Sequence, residues 1–317
     1  MRKTDNLEYY RAFCTVAACG SVREAGATLS LEPSNLSRMI RQLETELDAA
    51  LFEPQSRPAK LTPQGEVLYE HAQALLREHS ALLDAMHENL DSESGLIQVA
   101  SSAEIRHQLL APALVEYQQE HPEVSIELRD LVLGARNFFM AADGTTSDVV
   151  LAFKTYEPIP EGTQEEVLSE VPLVACASPI YLKKNGVPIT PADCAKHRGV
   201  VLKLPGRSSS DHLFKGDRCE PIRWKSASTY YSQIDAVDAL VLGAGVCTDI
   251  GLPSFVRQQE KGRLTEVLAD WSCPPQTACL YVNSYAKKKR RVQRFAEWVA
   301  RRYRAYIAES LEAWKRS

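Results

Sequence analysis

The most constraining feature of this sequence is a pair of short amphipathic segments near the N-terminus, separated by only three residues. Ser21 and Glu24 form a capping-box pattern at the start of the first segment, and Pro33 suits the first turn of the second. Apolar residues recur in both segments at the spacing of one helical face: Val22, Ala25, Gly26 and Leu29, then Leu36, Met39, Ile40 and Leu43. The sequence therefore predicts two helices joined by a tight turn, after a first helix that Gly20 ends.

The outer face of the second of these helices is polar and basic. Ser34, Arg38 and Arg41 lie opposite its apolar stripe, and Arg57 and Lys60 follow on a short proline-containing loop. Two helices with a three-residue turn have the geometry that reads the major groove of DNA, and the loop is placed to touch phosphate or the minor groove. From spacing alone, a helical adaptor with solvated arginines remains the alternative.

Charge does not decide between these alternatives. The 317-residue chain has a formal net charge of −4; residues 1–60 hold eight basic and eight acidic side chains, and residues 287–317 hold 11 basic and three acidic. A DNA interface must therefore be argued from the positions of individual basic side chains.

A content of 44% hydrophobic and 25% charged residues is typical of a soluble globular protein. No apolar stretch approaches the roughly 20 residues of a membrane span, and none forms a signal core, so we expect an unexported, cytoplasmic protein without membrane partners.

The eight cysteines indicate neither a disulfide framework nor a metal site. No two have CxxC spacing, and the nearest approach to a ligand pair is Cys194 with His197, which has no second pair. We expect reduced, mostly buried thiols, no metal and no cofactor, with a redox-active cysteine pair as the alternative. Ser210, Asp211 and His212 are the residue types of a catalytic triad, but consecutive residues cannot form one, so no enzyme is expected.

A long helix is predicted over residues 66–91, which contain neither glycine nor proline. Two apolar stripes repeat along it every seven residues: Leu68, Leu75 and Leu82, and Leu76, Leu83 and Leu90. Two stripes on one helix mean that it packs against more than one neighbour. We expect it to pair two copies of the chain; a helix buried within one domain is the alternative.

From about residue 92, strands alternate with helices. Short strands are predicted over 96–100, 124–128, 148–153, 173–177, 200–202, 245–250 and 279–282. The alternation indicates mostly parallel sheets with helices on both faces, and the length of this part favours two lobes over one.

Hydroxyl and aromatic side chains follow several of these strands. Ligands of such sheets bind at the carboxyl ends of strands, where helix N-termini offer free amides to an anion. The candidate effector contacts are Ser101, Ser102, Phe153, Thr229, Tyr230 and Ser232. Together they predict a site for a small anionic metabolite; ordinary caps and turns are the alternative.

The first sixty-five residues also carry a longer collinear pattern. It runs through Phe13, Gly20-Ser21, Ala25, Leu29, Pro33-Ser34-Asn35-Leu36-Ser37-Arg38, Ile40, Leu43-Glu44, Leu47, Leu51-Phe52, Arg57, Leu61-Thr62-Pro63 and Gly65. This run resembles the N-terminal signature of the LysR-type transcriptional regulators, and later stretches such as His121-Pro122-Glu123 and Gly243-Ala244-Gly245 are similar to the effector domain of that family. The sequence departs from the pattern at Gly26, usually alanine, at Glu32, usually serine or threonine, and at Pro54, commonly a basic residue.

The resemblance implies a DNA-reading helix and a wing with specific contacts. The DNA contacts that it implies are Ser34, Asn35, Ser37, Arg38 and Arg41 on the helix and Arg57 in the wing. The basic loop adds Lys60 as a further expected contact. It also implies a bacterial regulator that pairs through its long helix and has two α/β lobes arranged like periplasmic binding proteins. The chain is expected to cross between the lobes near residues 166–170 and 269–272.

The expected architecture is therefore α+β and multidomain: a winged helix-turn-helix, a linker helix and a two-lobed effector domain. The expected bounds are 1–65, 66–91 and 92–305, with lobe I at 92–167 and 270–305, lobe II at 168–269, and a helical extension at 306–317. We expect a sequence-specific regulator, a homodimer or homotetramer, bound to a two-fold symmetric operator and modulated by a small effector, with RNA polymerase as a further partner. A redox-switched regulator and an α/β binding module without DNA affinity are the alternatives.

Overall fold

The computed structural model describes residues 3–54, 56–87, 90–131, 139, 146–154, 159–204, 207 and 210–316. Within these ranges the chain forms an N-terminal helical unit, a long helix and two five-stranded sheets. None of the helices so described is both long and apolar enough to cross a bilayer.

Three helices form the N-terminal unit: α1 (Leu7–Cys19), α2 (Val22–Leu29) and α3 (Pro33–Leu47). The Ser21 hydroxyl accepts a 3.4 Å hydrogen bond from the amide of Glu24 and so caps α2, as its sequence predicts. No side chain caps α3, in keeping with glutamate at position 32.

Gly26 has a structural reason to replace the usual alanine. A Cβ atom at this position would lie 2.8 Å from the carbonyl oxygen of Leu31, in the turn between α2 and α3. The amide of Leu31 in turn donates a 2.9 Å hydrogen bond to the Gly26 carbonyl. The close approach of the turn therefore requires a residue without a side chain.

A short antiparallel bridge between Phe52 and Leu61 forms the wing. The amide of Glu53 donates to the Lys60 carbonyl at 2.8 Å, and the amide of Ala59 donates to the carbonyl of Gly20 at 2.7 Å. The second bond ties the wing to the residue that ends α1, so the loop is held against the helical unit.

The long helix α4 (Pro63–His87) has two different faces. Tyr69, Ala72 and Leu76 are buried in the N-terminal core with Phe13, and Leu68 packs at its edge. On another face Leu75 and Leu82 are 45% and 59% exposed. The side chain of Leu83 lies outside the described residues. Leu76 of one stripe therefore packs within the chain, whereas Leu75 and Leu82 of the other are open to solvent.

The first lobe contains a sheet with strand order β2-β1-β3-β12-β4. β1 pairs in parallel with β2 and β3, whereas β12 is antiparallel to β3 and β4. Its strands are β1 (Gly95–Ser101), β2 (Val124–Asp130), β3 (Val149–Phe153), β4 (Gln164–Val171) and β12 (Gln276–Val282). Its helices are α5 (Ala103–Ile105), a π-helical turn (Arg106–Leu110), α6 (Ala111–Glu120) and the first part of α10 (Arg290–Arg316).

The second lobe contains a sheet with strand order β11-β5-β10-β6-β9. β6 is parallel to β9 and β10, and β5 is antiparallel to β10 and β11. Its strands are β5 (Leu173–Ala177), β6 (Arg198–Leu202), β9 (Ser226–Tyr230), β10 (Val246–Gly251) and β11 (Thr265–Glu266), with a separate hairpin of β7 (His212–Lys215) and β8 (Arg218–Pro221). Its helices are α7 (Pro179–Asn185), α8 (Gln233–Val241) and α9 (Leu252–Gln259).

Three details differ from the expectations. Each sheet is half parallel rather than mostly parallel, because the strands next to the crossings run back against their neighbours. β4 stays in the first sheet through Val171, so the chain changes sheets at Pro172, just after the expected crossing. The expected extension at 306–317 continues α10 without a break to Arg316.

Candidate DNA-reading surface and interlobe effector site

The outer face of α3 presents the residues predicted to read DNA. Ser34, Asn35, Arg38 and Arg41 are exposed, and Ser37 is half-buried. The helix is held by Leu36, Ile40 and Leu43, which are buried in the N-terminal core.

Arg38 is partly ordered before any DNA binds. Its Nη2 donates a 3.1 Å hydrogen bond to Oδ1 of Asn35 one turn earlier. Within the described residues neither Arg38 nor Arg41 forms an ion pair. No carboxylate therefore neutralises either guanidinium group, and both can bind a polyanion such as DNA. Arg57 and Lys60 are exposed on the wing, beside the end of α1.

The two sheets bring several carboxyl strand ends to the junction between the lobes. In the first lobe the parallel strands β1 and β3 end at Ser101 and Phe153. In the second lobe the parallel strands β6, β9 and β10 end at Leu202, Tyr230 and Gly251. This is the edge at which α/β sheets bind ligands.

The predicted effector residues of the first lobe are mostly covered. Ser101 is fully buried, and its hydroxyl donates weakly to the Ser102 carbonyl at 3.3 Å. Ser102 is half-buried, and its hydroxyl oxygen is buried with no hydrogen-bond partner among the described residues. Phe153 is half-buried against the core of the first lobe.

The predicted residues of the second lobe are divided between a strand and a helix cap. Thr229 is exposed on β9, and Tyr230 packs against the core of the second lobe. The Ser232 hydroxyl accepts a 3.3 Å hydrogen bond from the amide of Asp235 and caps α8. Ser232 therefore has an ordinary capping role in addition to any contact with a ligand.

A contact that the sequence analysis missed joins the two groups. The Gln233 amide donates a 2.5 Å hydrogen bond to the carboxylate of Glu104, two residues after Ser102. The same amide approaches the Ser254 hydroxyl at 2.8 Å, and its carbonyl accepts a 3.2 Å hydrogen bond from the Gly251 amide. The sequence marks Glu104 only by its position, two residues after the Ser101-Ser102 turn that was predicted to contact the effector.

Burial controls the charge of Glu104. It raises the pKa of this carboxyl from 4.5 to about 7, although the Gln233 hydrogen bond and the charge of Arg207 act in the opposite direction. Arg207 has a closer partner: its Nη2 lies 2.8 Å from Oδ2 of Asp249, and both side chains are more than nine-tenths buried. The junction therefore holds two carboxylates and one guanidinium.

The hydrogen-bonded chain continues to the other side of the junction. Gln108, in the π-helical turn, donates to the Ser254 hydroxyl, and the Tyr306 hydroxyl of α10 donates to Gln108 at 3.3 Å. Behind it lies a groove of about 320 Å³ that His107, Arg257 and Tyr306 help to line. Glu104 is thus linked through neutral side chains to both lobes and to α10.

The cysteines form one close pair. Cys176 and Cys247 lie directly opposite each other on the antiparallel strands β5 and β10, and both are fully buried. Burial raises the pKa of both thiols, so they stay protonated and weakly nucleophilic at neutral pH. No group of three metal-ligand side chains occurs in the described part of the chain.

Comparisons with known proteins agree with this architecture. Residues 7–66 match the family described as bacterial regulatory helix-turn-helix protein, lysR family, and residues 90–304 match the LysR substrate binding domain. An uncharacterised HTH-type transcriptional regulator of Escherichia coli K12, YhjC, is 27% identical over 96% of this chain and 99% of its own length. The E. coli K12 transcriptional activator TtdR is 27% identical over 58% of this chain and 57% of its own length.

Solved structures share the fold over nearly the whole chain. The virulence activator AphB of Vibrio cholerae superimposes with a TM-score of 0.57 at 18% identity, covering 96% of this chain and 99% of AphB. CrgA of Neisseria meningitidis superimposes with a TM-score of 0.50 at 22% identity, covering 96% and 99%. Since both family matches together span most of the sequence, the chain belongs to the LysR-type transcriptional regulators.

Proposed function

We propose that this regulator binds a two-fold symmetric operator as a dimer or tetramer and that a small molecule between the effector lobes changes how it binds. α3 lies in the major groove, where Arg38 and Arg41 contact base edges or phosphates and Asn35, Ser34 and Ser37 add polar contacts. Arg57 and Lys60 on the wing contact the neighbouring backbone.

The observation that carries this proposal is Arg38, which is exposed on α3 and forms no ion pair among the described residues. Its side chain is oriented by Asn35, and its helix is fixed by three buried apolar residues. A helical adaptor that does not bind DNA would not require a basic helix face beside a basic wing. Dimer formation is supported by the exposed leucine stripe of α4, which gives two reading helices related by a two-fold axis.

The DNA part is tested by selecting binding sites from random duplexes with the full chain and measuring affinity by fluorescence anisotropy. We expect the selected sites to be inverted repeats, with affinity falling steeply as salt rises. Selected sites without two-fold symmetry would contradict a dimeric reader. Affinity equal to that of unselected DNA would contradict sequence-specific binding altogether.

The effector part is supported by the buried Ser102 hydroxyl that lacks a partner and by the strand ends around it. A small molecule with an anionic group accepts a hydrogen bond from the Ser102 hydroxyl and contacts Thr229 or Ser232. The test is thermal stability of the reduced protein with small carboxylates and amino acids. A ligand at 100 times its dissociation constant adds about 2.7 kcal/mol to the free energy of unfolding.

A redox switch is the second candidate, because Cys176 and Cys247 meet across two strands. Their burial disfavours it, since peroxide reacts with thiolates. The test compares operator affinity before and after peroxide in the wild type and in Cys176→Ser. A peroxide response that Cys176→Ser abolishes would favour the redox mechanism over the small effector.

A further inference from the structure

Among the residues that the structure describes, no cation lies at hydrogen-bond distance from the Glu104 carboxylate at the interlobe junction. The described side chain that donates a hydrogen bond to Glu104 is the neutral amide of Gln233, at 2.5 Å. Arg207 attracts Glu104 only from farther away, because its guanidinium is bound to Asp249 at 2.8 Å. When Glu104 is ionised, this group of two carboxylates and one guanidinium carries one net negative charge in a buried place.

The side chains of the other described elements that are linked to Glu104 are neutral; α9 also carries Arg257, whose charge acts on Tyr306. α9 contributes the Ser254 hydroxyl through the shared Gln233 amide, and the phenols of Tyr303 and Tyr306 on α10 feel the charge of Glu104. At Gly251 a Cβ atom would lie 2.8 Å from Oε1 of Glu104, so the backbone of the second lobe closes directly over the carboxylate. An ionised carboxylate in such surroundings is stabilised by an added cation.

We propose that the effector of this regulator carries an ammonium or guanidinium group that pairs with Glu104, as an amino-acid-like zwitterion does. This inference rests on the proposed effector site. The ligand's cationic group takes the place of the Gln233 amide as the donor to Glu104, and a carboxylate at its other end meets the hydroxyls of Ser102 and Ser232. A charge-assisted hydrogen bond to a carboxylate is roughly twice as strong as one from a neutral amide.

Glu104 then determines which molecules enter. A ligand that brings only negative charge meets repulsion from Glu104, whereas a zwitterion neutralises it. Gln233 must move when the ligand binds, because its amide occupies the donor position at Glu104. Since Gln233 also contacts Ser254 and Gly251 of the second lobe, this exchange separates or shifts the lobes at that point.

The test uses the full-length protein and pairs of compounds that differ by one amino group: 6-aminohexanoate with hexanoate, and 5-aminopentanoate with pentanoate. Binding is measured by thermal shift and by calorimetry to the wild type, to Glu104→Gln and to Asp235→Asn. Glutamine keeps the size of Glu104 and an acceptor for Gln233. Asp235→Asn removes the same charge from an exposed site in the first turn of α8, two residues after Gln233.

We expect an ammonium compound to bind the wild type at least tenfold more tightly than its deaminated partner. Glu104→Gln should lose at least tenfold in that affinity, and Asp235→Asn should change it by less than twofold. Lowering the pH below 7 should weaken binding to the wild type, because protons compete for Glu104, and should leave Glu104→Gln unaffected.

Three results would overturn the inference: deaminated partners that bind the wild type as tightly as the amines, a Glu104→Gln variant that binds amines normally, or no amine binding at all. Operator binding in the same buffer separates this failure from that of the proposed function. Intact operator binding without an amine response removes only the inference about the effector. Loss of specific operator binding by the wild type removes the proposed function itself.

Discussion

The Gln233 amide and the Glu104 carboxylate, 129 positions apart in the chain, meet at 2.5 Å and join the two effector lobes. Each follows a turn that the sequence marks with hydroxyl side chains. The contact places an ionisable group where the two lobes meet, so its protonation state influences the stability of the junction.

The first prediction concerns stability against pH. Burial raises the folded-state pKa of Glu104 from 4.5 to about 7, so the folded protein binds this proton more tightly than the unfolded chain. The stabilisation is therefore fully present below about pH 4.5 and is lost as pH rises through 7. Between pH 8 and pH 5, we expect the wild type to gain about 2–3 kcal/mol of unfolding free energy relative to Glu104→Gln.

Urea unfolding at pH 5, 6, 7 and 8 measures this difference. Asp235→Asn removes an exposed carboxylate and should follow the wild-type profile. Parallel profiles for the wild type and Glu104→Gln would mean that Glu104 titrates in the ordinary range of a glutamate.

The second prediction separates base reading from phosphate contact. Arg38→Ala should weaken binding to the selected operator by about 1–3 kcal/mol and reduce discrimination against other sequences. Lys60→Ala should weaken binding to all sequences alike and reduce the salt slope by about one. Arg263→Ala removes an exposed basic side chain from the second lobe and is the matched control. It should leave operator affinity and the salt slope unchanged. Unchanged operator affinity in Arg38→Ala would place the reading surface elsewhere.

Local pattern predicts the buried elements of this protein well and the exposed ones poorly. The apolar run 173–177 coincides with β5, every residue of which is buried. β4 and β9 were not predicted as strands: both lie at sheet edges, and β4 is largely acidic, while β9 is built of small and hydroxyl residues. Neither sequence has the apolar alternation that identifies a strand, whereas β2, also at a sheet edge, has it and was predicted.

The candidate sites divide in the same way. The reading helix could be found because its predicted contacts lie within about two turns of a single helix. The partners of Glu104 could not, because Gln233, Ser254 and Arg207 come from three separate elements of the other lobe. Only the fold brings them together, and a lone glutamate after Ser102 has no periodic pattern to mark it.

The third prediction concerns the exposed stripe of α4. Leu75 and Leu82 lie seven residues apart and are 45% and 59% exposed, whereas Leu76 is buried in the N-terminal core. If two copies pair through this stripe, Leu82→Glu places a charge in the interface and should shift the protein from dimer toward monomer. Sedimentation equilibrium measures the mass. Glu70→Ala, on another face of the same helix, should keep the wild-type mass; a dimer that survives Leu82→Glu would show that pairing uses a different surface.

The last prediction concerns the end of α10. This helix has 27 residues and is about 40 Å long. Its first part packs in the core of the first lobe, and Leu311 touches both cores. Trp314 packs on the second lobe and donates a 2.9 Å hydrogen bond from Nε1 to the Glu266 carboxylate. The family match ends at residue 304, so these contacts are made by turns beyond it.

Because one rigid helix touches both lobes, its last turns should hold the second lobe to the first. Trp314→Ala removes half-buried aromatic surface and a hydrogen bond, and should lower the unfolding free energy by about 1–3 kcal/mol. It should also increase amide exchange in α9 and β11 more than in β1 and β3. Glu312→Ala changes an exposed side chain on the same turn, whose ion pair with Arg316 spans 3.9 Å, and should have little effect. Equal effects of the two variants would mean that the end of α10 does not tie the lobes together.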